Sequence, residues 1–530
     1  MGIRNELIDC LDSVRGNKAL VVDQKLLGPL GLLTEFTVLR EHFVEKVHPL
    51  TPARMDTPCT NIIYMCRPRV EYMKYIAEHV KTHNKENQKK HYSIFFVPRS
   101  SMIAERVLEE EGVFGDVTVS SWNMDLVPFD DDLISLELEN SFRDCFLEGD
   151  PTSLYYVARS VMKLQDYFGL FPKILGIGDS ARQVKDMVLR MSKERGPTDE
   201  QAVLPQIESL ILIDRQVDMA TPLATQMTFE GLIDELIGIN CSLIEVEAEL
   251  LDPDGKSTQG HPPGKKLVYP LNSNDLVYSE FRDQNIEALA SLVRTKAKGI
   301  QDSYDQLQSL QSVSELRGFV TTLPSLKQQE HSLGILNNIA HKITSQIKND
   351  DFIRRIEAER SILSGTDPEL ALNFISEMID RQMPMIKVLR LLCLFCVVHG
   401  GLTAKHFDHY QREIVHSYGY DAIFTMHNLV RLNLLRRVTT RSAYQLVHKP
   451  LQLFCPEVKK VEPDDIAHVF SGYAPLSVRL VQYSINPGWR AIPEHVRAIG
   501  TAFEVTQSLP PAVAANLQRK TRTSSQRSLD

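Results

Sequence analysis

Residues 209–236 constrain this chain more than any other stretch. Ser209-Leu-Ile-Leu-Ile213 is a short uncharged run rich in β-branched residues, the kind that fills a parallel sheet covered on both faces. Asp214 and Arg215 end it. Thr221 then offers an N-cap oxygen, and Pro222 suits the first helical position, where its missing N–H would have been unpaired anyway. A helix is therefore expected from Thr221 onward, leading into Phe229-Glu-Gly-Leu-Ile-Asp-Glu235. A buried strand that turns a charged corner into a helix implies a layered α/β fold.

The first 125 residues repeat that alternation. Lys18–Asp23, Asn61–Met65 and Ser93–Val97 are expected strands, with helical spacing over Leu32–Val44 and Tyr72–Val80. A second α/β segment runs from about Leu133 to Ile239, and the Gly/Pro-rich stretch Asp252–Gly264 is expected to be a surface loop. From Asn272 to about Lys449 the pattern is helical. Ser312 and Glu315 form a capping box opening a helix with Val313, Leu316, Phe319 and Leu323 on one face. Pro324 is expected to stop it, and Leu333, Leu336, Ile339, Ile343 and Ile347 to form a second helix, giving a hairpin with Leu323-Pro324 near its tip.

A length of 530 residues allows two to four cores, and a net charge of −9 disfavours nucleic acid, whose phosphates call for clustered Lys and Arg. Lys81–His91 interleaves its lysines with Asn, Gln and Glu and reads as a solvated loop, and Arg519–Arg522 is a short basic segment of the tail. Eight scattered cysteines fit reduced thiols. Cys393 and Cys396 form the single Cys-x-x-Cys, but they lie in the apolar run Val388–Val398 with no second pair to complete a zinc site, so core packing is expected. Met1–Leu7 has no signal-peptide core, Glu6 stands where myristoylation wants Ser or Thr, and Arg390 interrupts the longest apolar run. Membrane contact is expected only through partners.

Catalysis finds little support in the residues. Leu210–Asp214 has the shape of a Walker B strand, yet no Walker A loop occurs, and Gly176-Ile-Gly178 lacks the third glycine of a dinucleotide fingerprint. Asp214, Arg215 and Asp218 are expected to brace the strand exit by charge-assisted hydrogen bonds. His406, His409 and His416, flanked by Lys405 and Arg412, read as a solvated helical face rather than a metal site. No Gly-x-Ser-x-Gly elbow is present. No cofactor, metal or catalytic residue is nominated, and a nucleotide-binding α/β enzyme is the competing reading.

Six blocks carry a family resemblance in chain order. They are Gly28-Pro-Leu-Gly31, Cys66-Arg-Pro-Arg69, Phe96-Val-Pro-Arg99, Phe146-Leu-Glu-Gly-Asp150, the corner of Asp214, Arg215, Asp218, Thr221, Pro222 and Leu223, and Phe470–Arg479. The chain resembles the Sec/Munc-18 (SM) family of SNARE-binding proteins over about residues 15–500. Gly472-Tyr-Ala-Pro-Leu-Ser477, Pro487-Gly-Trp489 and Gly419-Tyr420 near His427 lean toward the A-type branch.

The resemblance implies α/β plus α: two Rossmann-like parallel-sheet domains and a large helical domain arranged as an SM-family arch. Domain 1 would span 1–125, a discontinuous domain 2 would span 126–240 plus 466–507, helical domain 3 would span 241–465, and 508–530 would be a disordered tail. The family's C-terminal apolar strand and Gly-Gly-x-Thr-x-x-Glu helix are missing, so domain 2 is expected to be incomplete, and a shortened form with part of the binding surfaces is the alternative. By resemblance the 313–347 hairpin, with Leu323, Pro324, Leu333 and Leu336, would template SNARE helices. Tyr420 and Ile423 would bind vacuolar protein sorting-associated protein 16 within the HOPS and CORVET tethering complexes, which act in fusion at late endosomes, lysosomes and vacuoles and in autophagy. Read without the family, Tyr420 and Ile423 fit inward packing equally well. The implied location is the cytoplasm, peripheral to endosomal and lysosomal membranes.

Overall fold

The computed structural model describes residues 2–86, 88–195, 203–251, 264–309, 313–438, 441–459 and 463–507, with side chains over all of these except 306–309 and 313–322. Ser312, the Asp252–Pro263 stretch and the 508–530 tail lie outside the described residues. The chain forms two compact units. One comprises Met1–Leu138 with Ile239–Ile244 and Pro270–Asn272, and the other Glu139–Gly238, Glu245–Tyr269 and Ser273–Asp530.

The first unit contains α1 (Gly2–Asp12), β1 (Lys18–Val22), α2 (Gln24–Leu33), α3 (Phe36–Glu41), β2 (Val44–Pro49), β3 (Asn61–Cys66), α4 (Val70–Lys85), β4 (His91–Phe96), α5 (Met102–Glu110) and β5 (Val117–Ser121), then the antiparallel pair β6 (Val127–Asp130) and β7 (Leu133–Ser135). Strands β1–β5 form one parallel sheet in the order β2-β1-β3-β4-β5. The three expected strands are its interior, and β1 is buried along its whole length. The edges β2 and β5 escaped the sequence reading because Glu45, Lys46 and His48 in one and Thr118, Ser120 and Ser121 in the other dilute the apolar signal. The helix expected over Leu32–Val44 breaks at Thr34, whose extended backbone ends α2. Val44 belongs to β2 instead.

The second unit holds α6 (Thr152–Phe168), β8 (Lys173–Ile177), α7 (Asp179–Arg195), β9 (Ser209–Ile213) and α8 (Phe229–Leu236). Next along the chain, β10 (Leu243–Glu247) and β11 (Lys266–Pro270) pair with each other. The helices α9 (Leu276–Phe281), α10 (Ile286–Ser309), α11 (Val313–Ile347), α12 (Asp350–Ser364), α13 (Pro368–Asp380), α14 (Met385–His399), α15 (Ala404–Tyr418), α16 (Ala422–Arg431), α17 (Ala443–Val447), α18 (Leu476–Ile485) and α19 (Pro493–Ile499) follow, and β12 (Ala502–Thr506) comes last. Strands β8 and β9 are parallel, and β12 adds antiparallel to the other side of β8. One apolar core runs from Leu175 and Ile177 through α12, α13, α14, α15 and α16 to Trp489 and Val496, which is why sheet and helices form one unit. Cys393 and Cys396 lie inside α14, and burial pushes their thiols up to about 12 and about 11.

Candidate functional site

The corner after β9 is a brace, built differently from the expected one. Asp214 is buried; its Oδ2 accepts the Ser180 N–H at 2.8 Å and its Oδ1 the Gln216 N–H at 3.1 Å. Its carboxylate therefore sits at the start of α7, where the helix dipole favours negative charge. Asp218 does the same for α18: its Oδ2 accepts the Ser477 N–H at 2.9 Å and the Thr221 hydroxyl at 2.7 Å, and its Oδ1 the Thr221 N–H at 3.1 Å. Arg215 does not bridge the two carboxylates. It is exposed, and its Nη1 reaches only the Asp218 carbonyl, at 3.4 Å.

Thr221 and Pro222 do not open an α-helix either. Thr221–Leu223 is a single 3-10 turn, and α8 starts at Phe229 with Thr228 accepting the Gly231 N–H. The Thr221 hydroxyl is already engaged by Asp218 and lies 3.0 Å from the Tyr473 hydroxyl, so it cannot cap.

Glycines 176 and 178 are explained by close approach rather than by phosphate binding. A Cβ on Gly176 would meet the Phe503 ring of β12 at 2.2 Å, and one on Gly178, whose φ is +100°, would meet the Asp214 Cβ at 2.3 Å.

The second half of the diagnostic block ties this corner to the helices. Arg390 of α14 donates to the Leu223 and Ala224 carbonyls at 2.8 and 3.0 Å and to Glu235 at 2.7 Å. Arg355 of α12 reaches the other Glu235 oxygen at 2.8 Å. Glu359, one turn on, accepts the Thr225 N–H and hydroxyl, each at 2.8 Å. Burial pushes the Glu359 carboxyl up. Burial acts the same way on Glu235, but Arg390 and Arg355 outweigh it and hold that group below the usual range. Sequence reasoning noted Arg390 only as an interruption of an apolar run. A lone Arg in a buried helix was the available signal, since such a charge needs a partner.

In the first unit, the crevice beyond the ends of β1 and β3, where the strand order reverses and doubly wound folds bind ligands, is occupied by side chains. Asp23 is fully buried, 2.6 Å from Arg67 Nε and 2.9 Å from the Tyr72 hydroxyl. Burial raises its pKa, but Arg67 more than offsets this and the net shift is downward.

The expected hairpin has a different tip. Helix α11 runs unbroken from Val313 to Ile347 with Pro324 inside it, because losing one N–H and crowding one turn does not outweigh a long helix packed at its far end. The hairpin is α10 against α11, and its connection, 310–312, lies outside the described residues. Leu333 and Leu336 are buried at its base among Ile335, Ile339 and Ile343, so they offer no surface to a partner. Leu323 is half-buried and Pro324 exposed.

Tyr420 and Ile423 do not pack inward. Tyr420 is 81% exposed and Ile423 42%, and Phe424, which sequence reasoning passed over, is 72% exposed. Gly419, with φ +90°, ends α15 and lets Tyr420 project before α16 begins. The Tyr418 hydroxyl donates to the Met383 carbonyl at 2.5 Å and so ties the end of α15 to the segment before α14. Three large apolar side chains, Tyr420, Ile423 and Phe424, are thus exposed within five residues of one corner. Among the described residues no group of three His, Cys, Asp or Glu could hold a metal, and no helix is long and apolar enough to cross a membrane.

Comparison with known proteins agrees with this architecture. The model of the Sec1 family matches residues 18–529. Vacuolar protein sorting-associated protein 33A of Rattus norvegicus is 40% identical over 97% of this chain and 87% of its own length. The protein 33 homolog of Arabidopsis thaliana is 36% identical over 95% and 83%. Among solved structures, the SM protein Vps45 in complex with the Qa SNARE Tlg2 superimposes with a TM-score of 0.55 at 16% identity, covering 95% of this chain and 88% of that one. At that identity the likeness is one of fold.

Proposed function

The chain belongs to the Sec1 family, and on that footing we propose that it is an SM protein that binds SNARE helices and promotes their assembly during membrane fusion at endosomes and lysosomes, as a subunit of the HOPS and CORVET tethering complexes. The observation that carries this reading is the 40% identity, sustained over 97% of the chain, to a protein named for vacuolar sorting. The named SNARE in the Vps45 complex supports SNAREs as the ligand class. The reading needs no chemistry at the corner, where backbone amides already occupy both Asp214 oxygens.

Docking to the tethering complex is assigned to Tyr420, Ile423 and Phe424, with vacuolar protein sorting-associated protein 16 as the partner. Aromatic and aliphatic side chains this exposed on a helical scaffold have the composition of an interface hot spot. SNARE templating is assigned to the part of the α10–α11 hairpin beyond Leu323 and Pro324, away from the buried base. The three-domain organisation inferred from the family is kept in the same spirit. The chain stays in the cytoplasm and meets membranes through its partners.

Co-purification of the chain with protein 16 and a SNARE bundle tests the reading. Tyr420→Asp or Ile423→Lys is expected to abolish protein 16 capture with an unchanged melting temperature. Capture that survives both substitutions refutes the docking assignment.

A further inference from the structure

The segment from Thr51 to Thr60, which joins β2 to β3, packs against α4 as a strap and is pinned at three alternate carbonyls. His79 Nε2 reaches the Ala53 carbonyl at 3.0 Å, His83 Nε2 the Met55 carbonyl at 2.9 Å, and Lys90 Nζ the Thr57 carbonyl at 2.5 Å. The two histidines stand one turn apart on α4 and are buried. Their other ring nitrogens are engaged as well. The Tyr64 hydroxyl lies 3.3 Å from His79 Nδ1, and the Tyr92 hydroxyl 3.1 Å from His83 Nδ1. A carbonyl can only accept, so each Nε2 carries the ring proton, and Nδ1 of the neutral ring accepts from the tyrosine.

A second proton on His79 disturbs this arrangement. It sets an N–H against the O–H of Tyr64, which is itself fully buried, and it leaves a charge inside the first sheet's core. Among the described residues no carboxylate forms an ion pair with either ring. The charges on the surrounding elements are engaged elsewhere or exposed: Arg54 of the strap pairs with Glu86 at 3.0 Å, Lys81 of α4 with Glu111 at 2.6 Å, Asp116 accepts from Asn84 at 3.2 Å, and Asp56 and Glu78 are exposed. Burial lowers the His79 pKa against the opposing pull of the Ala53 and Thr51 backbone and of Glu78, and His83 adds to the lowering. A cleft of about 60 Å³ between Arg54 and Met55 of the strap and Glu78 and Thr82 of α4 gives water a way to the rings.

We propose that His79 is a pH-operated latch, which holds the strap closed on α4 while neutral and releases it at the Ala53 carbonyl when protonated. The strap is the part that yields, because His79 is fixed on a helix whereas the strap belongs to no strand or helix. Hydrating the imidazolium therefore widens the cleft, and opening uncovers Met55, otherwise buried in the core. The sign follows from linkage. With the folded pKa below the unfolded one, the closed strap is fully favoured above the ordinary histidine pKa and loses that advantage as pH falls below it.

Amide exchange of the full-length chain at about pH 7.5 and about pH 5.5, corrected for the intrinsic rate, tests the latch. A histidine that takes its proton only in the open form, with an ordinary pKa of about 6.5, multiplies the opening constant by about tenfold over that interval. Protection of the amides from Ala53 to Cys59 is expected to fall by that factor, while Ile62–Met65 of β3 stay unchanged. His79→Gln, whose side chain offers a donor and an acceptor at every pH, is expected to remove the drop. His48→Gln and His42→Gln, which delete the two half-buried imidazoles on and just before β2, are expected to keep it. Equal protection of the wild-type strap at both pH values overturns the latch, and that comparison decides even if His79→Gln does not fold. A drop that survives in His79→Gln, or one shared by β3, overturns it as well.

Discussion

Truncating Asp218 to alanine tests whether the corner is a brace. The carboxylate accepts three hydrogen bonds, from the Thr221 N–H, the Thr221 hydroxyl and the Ser477 N–H, and Asp218 is 2% exposed. Hydrogen bonds to a charged group are worth about 1.5–3 kcal/mol each, but the Thr221 hydroxyl keeps Tyr473 as a partner. The lasting cost is two amide N–H groups stranded near the start of α18 and at the 3-10 turn. Asp218→Ala should therefore destabilise the second unit by about 4 kcal/mol, and Asp218→Asn, which keeps one acceptor, by about half of that. Trp489 reports the change, since its indole donates to the Leu480 carbonyl of α18 at 2.8 Å. In a Trp122→Phe background, which leaves Trp489 as the single indole, urea unfolding followed by fluorescence reads this unit. A loss below about 1 kcal/mol for Asp218→Ala at unchanged m would refute the bracing argument.

Other substitutions separate the remaining elements. Gly178→Ala forces a Cβ into Asp214 at φ +100° and should cost more than about 2 kcal/mol by urea unfolding, whereas Gly115→Ala, with open space around it, should be near neutral. Pro324→Ala restores a backbone donor inside α11 and should raise amide-exchange protection around it, while Leu336→Ala in the buried base should cost about 2–5 kcal/mol; equal effects would contradict the placement of the hairpin. The Asp23 carboxyl is held below its ordinary value, so its contribution is full above 3.8 and is lost as pH falls through the depressed folded value. Asp23→Asn should flatten the stability of the first unit across that acidic window, and an unchanged slope would show that Arg67 does not hold the carboxylate. Phe424→Asp should abolish protein 16 capture as Tyr420→Asp does, without changing the melting temperature.

The interior of the first sheet was legible because Ala19–Val22 and Ile62–Met65 are continuous apolar runs, and burial on both faces is what such runs encode. Its edges were not, since an edge strand needs only half an apolar pattern. The corner was located correctly, but its wiring was misread. Charge suggested that Arg215 joins Asp214 to Asp218, while the donors closest to hand were backbone amides at two helix starts, one of them contributed by Ser477, far along the sequence. Spacing alone could not reveal that partner. At α11, the helix-breaking propensity of Pro324 was outweighed by packing of the segment C-terminal to it. Tyr420 and Ile423 carried no local signal separating core from surface, and only placement of the Gly419 break turned them outward.

Strand β12 sets a schedule for how the chain is made. Gln507, just past it, donates to the Phe171 carbonyl across 336 residues, and Phe503 fills the space over Gly176. Until that late segment leaves the ribosome, β8 exposes an apolar edge that includes the bare Gly176. Loop closure over such a span is slow, and an open strand edge is where chains stick to one another. The second unit would therefore finish folding only after Ala502–Thr506 has been synthesised, with a chaperone or a binding partner best placed to act during that interval.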